Sequence, residues 1–405
     1  MALELRSRRS LRASVPRRPV LLLVAFLVTM ANTTTSRGDD VVLEGRTMGT
    51  TWTIRLTDGV RPQENASLAE PSELRETVQQ ELDRLEGIFS LYRADSEISR
   101  WNDQSTTDWI DVSEDFAQVT LSALDVAART GGAFDPTIEP LGRLWGIREI
   151  VPISPPAQPL SRTDLPQVGF RLIEASLTPP RVRKSHPAAR LDLNALVEGY
   201  AIDRLAEILQ SRGVDSALVG LGGEFRGIGQ TVRGEPWRIA IESPHDPKAI
   251  LARVPLQDGA VSTSGTYRQE RQQADGAATS HIFDGRTLSP VRHDTISVTV
   301  VAETALEADR WSTALLALGA TEGRAVADTE NLAALFVHRA PPVVELSTPG
   351  RSRIRLPISD TPEGDSPLQP APRFSWGYAY VAAVLILVIA RTFSRWKPRG
   401  RADSK

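Results

Sequence analysis

An α+β fold is predicted by three features of this 405-residue chain. Several long segments carry apolar residues at helical spacing, and several short ones alternate apolar with polar residues as half-buried strands do. The two kinds are mixed without a regular strand–helix–strand rhythm. A doubly wound parallel sheet needs that rhythm, so mixed or antiparallel sheets with packed helices are expected.

The elements follow in order. "TWTIRL" (residues 51–56) alternates like a strand. "SELRETVQQELDRLEGIFSLY" sets Leu74, Val78, Leu82, Leu85 and Phe89 close to helical spacing, with Ser72 as the expected cap. "DFAQVTLSALDVAARTGGAFD" predicts a second helix closing on Gly131 and Gly132, and "NALVEGYAIDRLAEILQSRG" a third closing on Gly213. "SALVGLGGEFRGIG", "WRIAIES" and "ISVTVVA" read as strands, and "ALEADRWSTALLALG" as a helix ending at Gly319. No internal repeat interrupts residues 41–358, which are expected to form one catalytic unit.

Composition narrows the chemistry. With 41% apolar residues and a net charge of −3, the chain can bury a full core. Its central region lacks the basic block that phosphate-backbone binding requires, so nucleic acid is set aside as a partner. No cysteine occurs, which excludes disulfides, thiolate metal sites, a thiol nucleophile and a lipid-bearing cysteine. Catalysis must therefore use oxygen and nitrogen.

The ends point to a membrane. Six arginines in residues 1–19 precede the apolar "VLLLVAFLVTMA", so residues 1–38 read as a signal peptide or a signal anchor. "FSWGYAYVAAVLILVIA" (residues 374–390) runs 17 residues without a charge. Aromatic residues stand on its entering side and the basic tail 391–405 on its leaving side. The Pro-rich residues 359–373 read as a linker. The expected arrangement is a catalytic unit outside the cytoplasm, held at the inner membrane by a transmembrane helix.

Four stretches carry candidate chemistry. "LGGEFRGIG" clusters glycines after a strand, where Gly222 and Gly223 would let backbone amides approach a phosphate; a tight strand-to-strand turn explains them equally well. "EADRWST" sets Asp309 and Thr313 four apart on one helix face with Ser312 beside them, hard oxygens of the kind Mg2+ takes, although a solvated helix face carries the same pattern. "LDLNALVEGYAID" enters a helix with Asn194 in a capping position and Glu198 and Asp203 behind it. "TSHIFDGRTLSP" places His281, one of five histidines, three residues before Asp284 at the mouth of a turn.

Taken in order, these stretches resemble the ApbE family of FAD:protein FMN transferases. The matching blocks are "MGTTWTIRL", "FSLYRADSEISRWN", "GGAFDPTIEPLGRLWG", "LDLNALVEGYAID", "LVGLGGEFRGIG", "WRIAIESP", "VSTSGTYRQ", "SHIFDGRTLSP" and "SVTVVAETALEADRWSTALLALG". The resemblance implies transfer of FMN from FAD to a threonine (or serine) hydroxyl of a target protein, with release of AMP and a requirement for Mg2+. It also implies an acceptor protein in a membrane electron-transfer system.

By resemblance the metal ligands are Asp309, Thr313 and the backbone carbonyl of Val197, with Ser312 where family members can have an acid. The flavin-binding positions carried over are Met48, the Tyr92-Arg93-Ala94 turn, Ala133 with Asp135, Glu198 and the backbone near Phe283. Thr263 and Ser264 resemble the family's loop at that site, and Gly222 and Gly223 join them as the glycine cradle. His281 would orient or deprotonate the acceptor hydroxyl, with Asp284 setting its tautomer or the turn. The chain departs from the family's D-P-R-T-G turn, reading "DGRTL" with Gly285 for proline and Leu288 for glycine. Two other readings share the site: an FAD pyrophosphatase, and a membrane-anchored flavin carrier without transferase activity.

Overall fold

The computed structural model describes residues 35–37, 40–57, 70–146, 156, 158–246, 248–267, 271–272, 278–339 and 343–354. The chain divides into two units, Met1–Ile358 and Ser359–Lys405, and every described residue belongs to the first. Both apolar end segments, the Pro-rich linker and the basic tail lie outside the described residues. Among the described residues, no helix is long and apolar enough to cross a membrane.

Among the described residues, nine strands form one sheet in the spatial order Thr35–Arg37, Asp40–Thr47, Thr50–Thr57, Ala217–Leu221, Glu224–Ile228, Gly259–Gly265, Thr295–Ala302, Ala333–His338 and Val344–Leu346. Every neighbouring pair is antiparallel. The helices are α1 (Pro71–Phe89), α2 (Glu97–Asp103), α3 (Glu114–Arg129), α4 (Glu139–Leu144), α5 (Asn194–Ser211), α6 (Ala305–Thr329) and α7 (Gly350–Arg353). The expected α+β architecture is thus present, with an antiparallel main sheet.

The sheet is covered on both faces, which explains why Thr295–Ala302 reads as a continuous apolar run: all eight of its residues are buried. Val298 and Val300 join the large core with α1, α3, α5 and α6, whereas Val301 faces a second core. That second core lies under the hairpin of Trp237–Glu242 and Ile250–Leu256. Trp237, Ile239 and Ile241 alternate inward there, as the period of a strand requires. On α1 the helical stripe of Leu74, Val78, Leu82, Leu85 and Phe89 is buried as spaced, each side chain contributing roughly 1.5–3 kcal/mol relative to exposure.

Some boundaries differ from expectation. Ser72 is not the cap of α1: Glu70 precedes the helix and Pro71 opens it, because proline fits the first turn, where its missing N–H costs nothing. Asn194 is the first helical residue of α5 rather than its cap, and its amide donates to Asp192 Oδ1 at 3.1 Å. The break at Gly319 (φ 72°, ψ 170°) is real, yet a further helical segment runs on to Thr329. His293 accounts for the break, its Nε2 lying 2.8 Å from the Leu316 carbonyl oxygen, while the Ala320 amide donates to Thr295 Oγ1 at 2.8 Å.

Gly222 and Gly223 form the two-residue turn between Ala217–Leu221 and Glu224–Ile228, both at positive φ (63° and 107°). A Cβ on Gly222 would also stand 1.8 Å from Glu198 Oε2. Gly222→Ala is therefore expected to lower stability by at least about 1–2 kcal/mol from the left-handed backbone alone. Chemical denaturation of the variant against the parent measures it, and unchanged stability would contradict this packing.

Candidate active site

The site is built where α5 crosses α6. The Gly199 backbone makes the crossing close: a Cβ there would lie 2.4 Å from the Ala305 carbonyl oxygen and 2.7 Å from Asp309 Cβ. The Gly199 amide donates to Asp309 Oδ2 over 3.0 Å. In a regular helix that amide would serve the carbonyl four residues back, Ala195. Val197, whose carbonyl is the main-chain ligand the resemblance implies, lies on this same helix two residues before Gly199. Asp203, one turn further along α5, is a structural acid. Its carboxylate accepts from the Ala305 and Leu306 amides at 2.8 and 2.9 Å, capping α6, and pairs with Arg226.

Strand alternation then brings hydroxyls to α6. Ser262 and Ser264 lie on the α6 face of Gly259–Gly265, with Ser264 Oγ 2.7 Å from Ser312 Oγ and 2.9 Å from Thr313 Oγ1. Ser262 Oγ donates to Glu224 Oε1 at 2.8 Å and lies 3.1 Å from Ser312 Oγ. Thr263, expected beside Ser264 in the site, faces the opposite side of the sheet and meets Thr299 Oγ1 at 2.8 Å. The Ser312 hydroxyl is fully buried, donates to the Asp309 carbonyl at 3.0 Å and is crowded by both serines. That engagement makes it a poor ligand.

Three carboxyl groups converge here: Asp309, Glu198 and Glu224. Burial, with the neighbouring Glu198 charge, pushes Asp309 up to about 8 against the pull of the Gly199 amide. Burial and the charges of Asp309 and Glu198 likewise push Glu224 well above the usual carboxylate range. Glu224 was absent from the sequence expectations; the available signal was an acid directly after the Gly222-Gly223 turn. Among the described residues no group of three or more His, Cys, Asp or Glu is arranged to hold a metal, so an ion here would take mixed oxygen ligands. Asp309 and Thr313, with the Val197 carbonyl that the resemblance implies, suit Mg2+, which accepts one or two carboxylates and leaves positions for phosphate oxygens.

A pH dependence follows from Asp309. An unfolded aspartate titrates near 3.9, whereas the folded group keeps its proton up to about 8. Between those values the folded state binds more protons, so this group makes stability fall as pH rises. Metal-free protein is expected to lose this contribution progressively toward about pH 8, while Mg2+, which needs the ionised carboxylate, should stabilise it most there. Thermal melts in EDTA and in Mg2+, compared with Asp309→Asn, test this. A Mg2+ shift equal at about pH 5 and about pH 8 would contradict it.

The segment around His281 is held against α6 from two sides. The Phe283–Asp284 and Ser289–Pro290 strands pair, the Gly285 amide donates to the Ala133 carbonyl at 2.9 Å, and Arg286 reaches Glu322 of α6. A proline at 285 could not make the bond to Ala133, so the glycine adds a tie between this hairpin and the "GGAFD" loop. Leu288 sits at φ 54° and is buried with Leu141, Val168 and Phe283, so its side-chain burial offsets a backbone that glycine would adopt more readily.

His281 is half-buried, its Nδ1 has no hydrogen-bond partner among the described residues, and burial lowers its pKa to about 4. The imidazole is therefore neutral near pH 7 and able to accept a proton. Asp284 does not set its tautomer, because both carboxylate oxygens accept from Arg286 and the backbone turn closes on the same residue. Of the two roles expected for Asp284, the turn is the one its contacts support.

The flavin-side residues fall into separate places. Asp135 is buried among the Thr137 amide (2.9 Å), the Thr137 hydroxyl and the Phe170 amide (3.0 Å), so its carboxylate organises the loop rather than facing outward. Ala133 is buried beside it. Met48, at φ 49°, lies in the turn between Asp40–Thr47 and Thr50–Thr57 and donates its amide to Glu86 Oε2 at 3.3 Å. Tyr92 stands 86% exposed, next to the Arg93–Asp95 ion pair and exposed Ala94, which leaves its ring face open to a partner ring.

Comparison with known proteins places the fold and the sequence in one family. The ApbE family model matches residues 48–336. The FAD:protein FMN transferase of Salmonella typhimurium is 36% identical over 335 residues, covering 79% of this chain and 91% of that protein. The Escherichia coli K12 protein of the same name is 36% identical over 301 residues, covering 73% and 83%. Among solved structures, the flavin transferase ApbE of Vibrio cholerae superposes with a TM-score of 0.66 at 30% identity, covering 78% of this chain and 99% of its own. The apo flavinyl transferase ApbE of Pseudomonas stutzeri gives 0.67 at 30%, covering 79% and 98%. With its fold, its ordered motifs and these relatives in agreement, the chain belongs to the ApbE family.

Proposed function

We propose that this chain, a flavin transferase by family, moves the FMN moiety of FAD onto a threonine or serine hydroxyl of a target protein, releases AMP and requires Mg2+. The observation that carries the reading is the pair of hard oxygen groups where α5 crosses α6, Asp309 against the Gly199 amide and Thr313 against Ser264, in a chain without a thiol. When bound, Mg2+ would polarise the pyrophosphate and offset its charge. The acceptor oxygen forms a bond to the FMN phosphorus, and the bond from that phosphorus to the bridging oxygen breaks. The electron pair leaves with AMP.

Neutral His281 takes the hydroxyl proton, and the tie between Gly285 and Ala133 holds its hairpin in place. Incubation with FAD, Mg2+ and a threonine-containing acceptor domain tests the reading through AMP release and in-gel flavin fluorescence. AMP without a fluorescent acceptor would favour the pyrophosphatase.

The acceptor belongs to a membrane electron-transfer system in this reading, and the catalytic unit faces out from the inner membrane. The support is the uncharged 374–390 segment with its basic flank. Truncation before Ser366 is expected to release the unit from membranes, as fractionation and blotting would reveal. Retention would mean that residues 20–31 are themselves an anchor.

A further inference from the structure

Glu224, like Glu198, is an acid in this site that no step above uses. Ser262 Oγ fixes one of its oxygens at 2.8 Å. The other, Oε2, is buried and receives no hydrogen bond among the described residues, while the side chain reaches the Asp309 carboxyl. Two carboxyl groups in contact and away from solvent share a proton when no metal is bound, and a divalent cation can take the place of that proton. Among the described residues the surroundings supply no balancing base: Ser262, Ser264, Ser312 and Thr313 are hydroxyls, and Glu198 adds a further acid. The one cationic side chain pairing on this strand, Arg226, is turned to Asp203.

We propose that Glu224 provides a second carboxylate for the divalent cation assigned to Asp309 and Thr313, so that the ion is held before FAD arrives. This rests on the Mg2+ reading of the site. Ser312 cannot fill that place, because its hydroxyl is already engaged by Asp309 O, Ser262 and Ser264. Two carboxylates match the charge of one divalent ion, and Mg2+ sites use one or two of them together with substrate phosphates. Ser262 would then be a positioning residue, aiming Glu224 as outer partners aim metal-bound carboxylates.

The test measures Mn2+ binding by the loss of the free-ion EPR signal, on detergent-solubilised full chain without flavin. The parent is expected to bind, Glu224→Gln to bind about 10- to 100-fold more weakly, and Glu224→Asp to keep part of the affinity. Metal-free Glu224→Gln should melt no lower than the parent, since its amide oxygen still accepts from Ser262 and it brings no ionisable group into the buried site. Parent-like Mn2+ affinity in Glu224→Gln would overturn this role and leave Asp309 as ligand. A melting temperature lowered equally in both variants, with affinity lost in proportion, would reduce Glu224 to a packing residue. If the parent and Asp309→Asn bind Mn2+ alike, the metal reading itself falls.

Discussion

Asp309→Ala is expected to fold yet lose FMN transfer by about a thousandfold or more, because ion stabilisation of transition-state charge supplies several kcal/mol and each 1.36 kcal/mol is tenfold in rate. The substitution also strips the Gly199 amide of its acceptor, at a cost of about 1–3 kcal/mol of stability. Asp309→Asn separates the two effects, since its amide oxygen still accepts from Gly199 while its charge is gone. Both should lose the Mg2+ dependence of AMP release; only the alanine variant should melt earlier. Transfer by Asp309→Asn at the parental rate and Mg2+ dependence would remove this helix from the metal site.

His281→Asn is expected to slow transfer by about 10²- to 10⁴-fold, the range for a positioned acid–base group, with little change in FAD affinity. The pKa near 4 limits how strongly this imidazole draws a proton, so orientation of the acceptor hydroxyl contributes alongside proton removal. If His281 only packs the hairpin, the variant should lose thermal stability or FAD affinity in step with activity. FAD titration beside a transfer assay separates the outcomes, and parental transfer by a well-folded variant would refute the role.

Where sequence and structure agree, short-range periodicity carries the information. The α1 stripe, the inward Trp237, Ile239 and Ile241, and the Asp309–Thr313 pair are all set by spacing along one element, so they were legible. Tertiary pairing was not. Nothing in "STSGTY" announces that Ser262 and Ser264 reach α6 while Thr263 turns away, because the facing partner comes from another part of the chain. Asp284 and Asp135 show the same limit: local donors, Arg286 for one and Thr137 with Phe170 for the other, occupy their carboxylates, and spacing alone does not announce those pairings. Glu224 escaped notice because its meaning depends on two other acids far along the chain.

The antiparallel sheet also sets a timetable for synthesis. The site draws Gly199 from α5, Glu224, Ser262 and Ser264 from two middle strands, and Asp309 and Thr313 from α6. Loop closure must precede such distant contacts, so they form late in folding. A nascent chain that ends before Ala305 has none of α6, hence neither of the two residues assigned to the ion. The enzyme stays silent until nearly all of its folded unit has emerged, so chains truncated during synthesis lack the residues its chemistry needs.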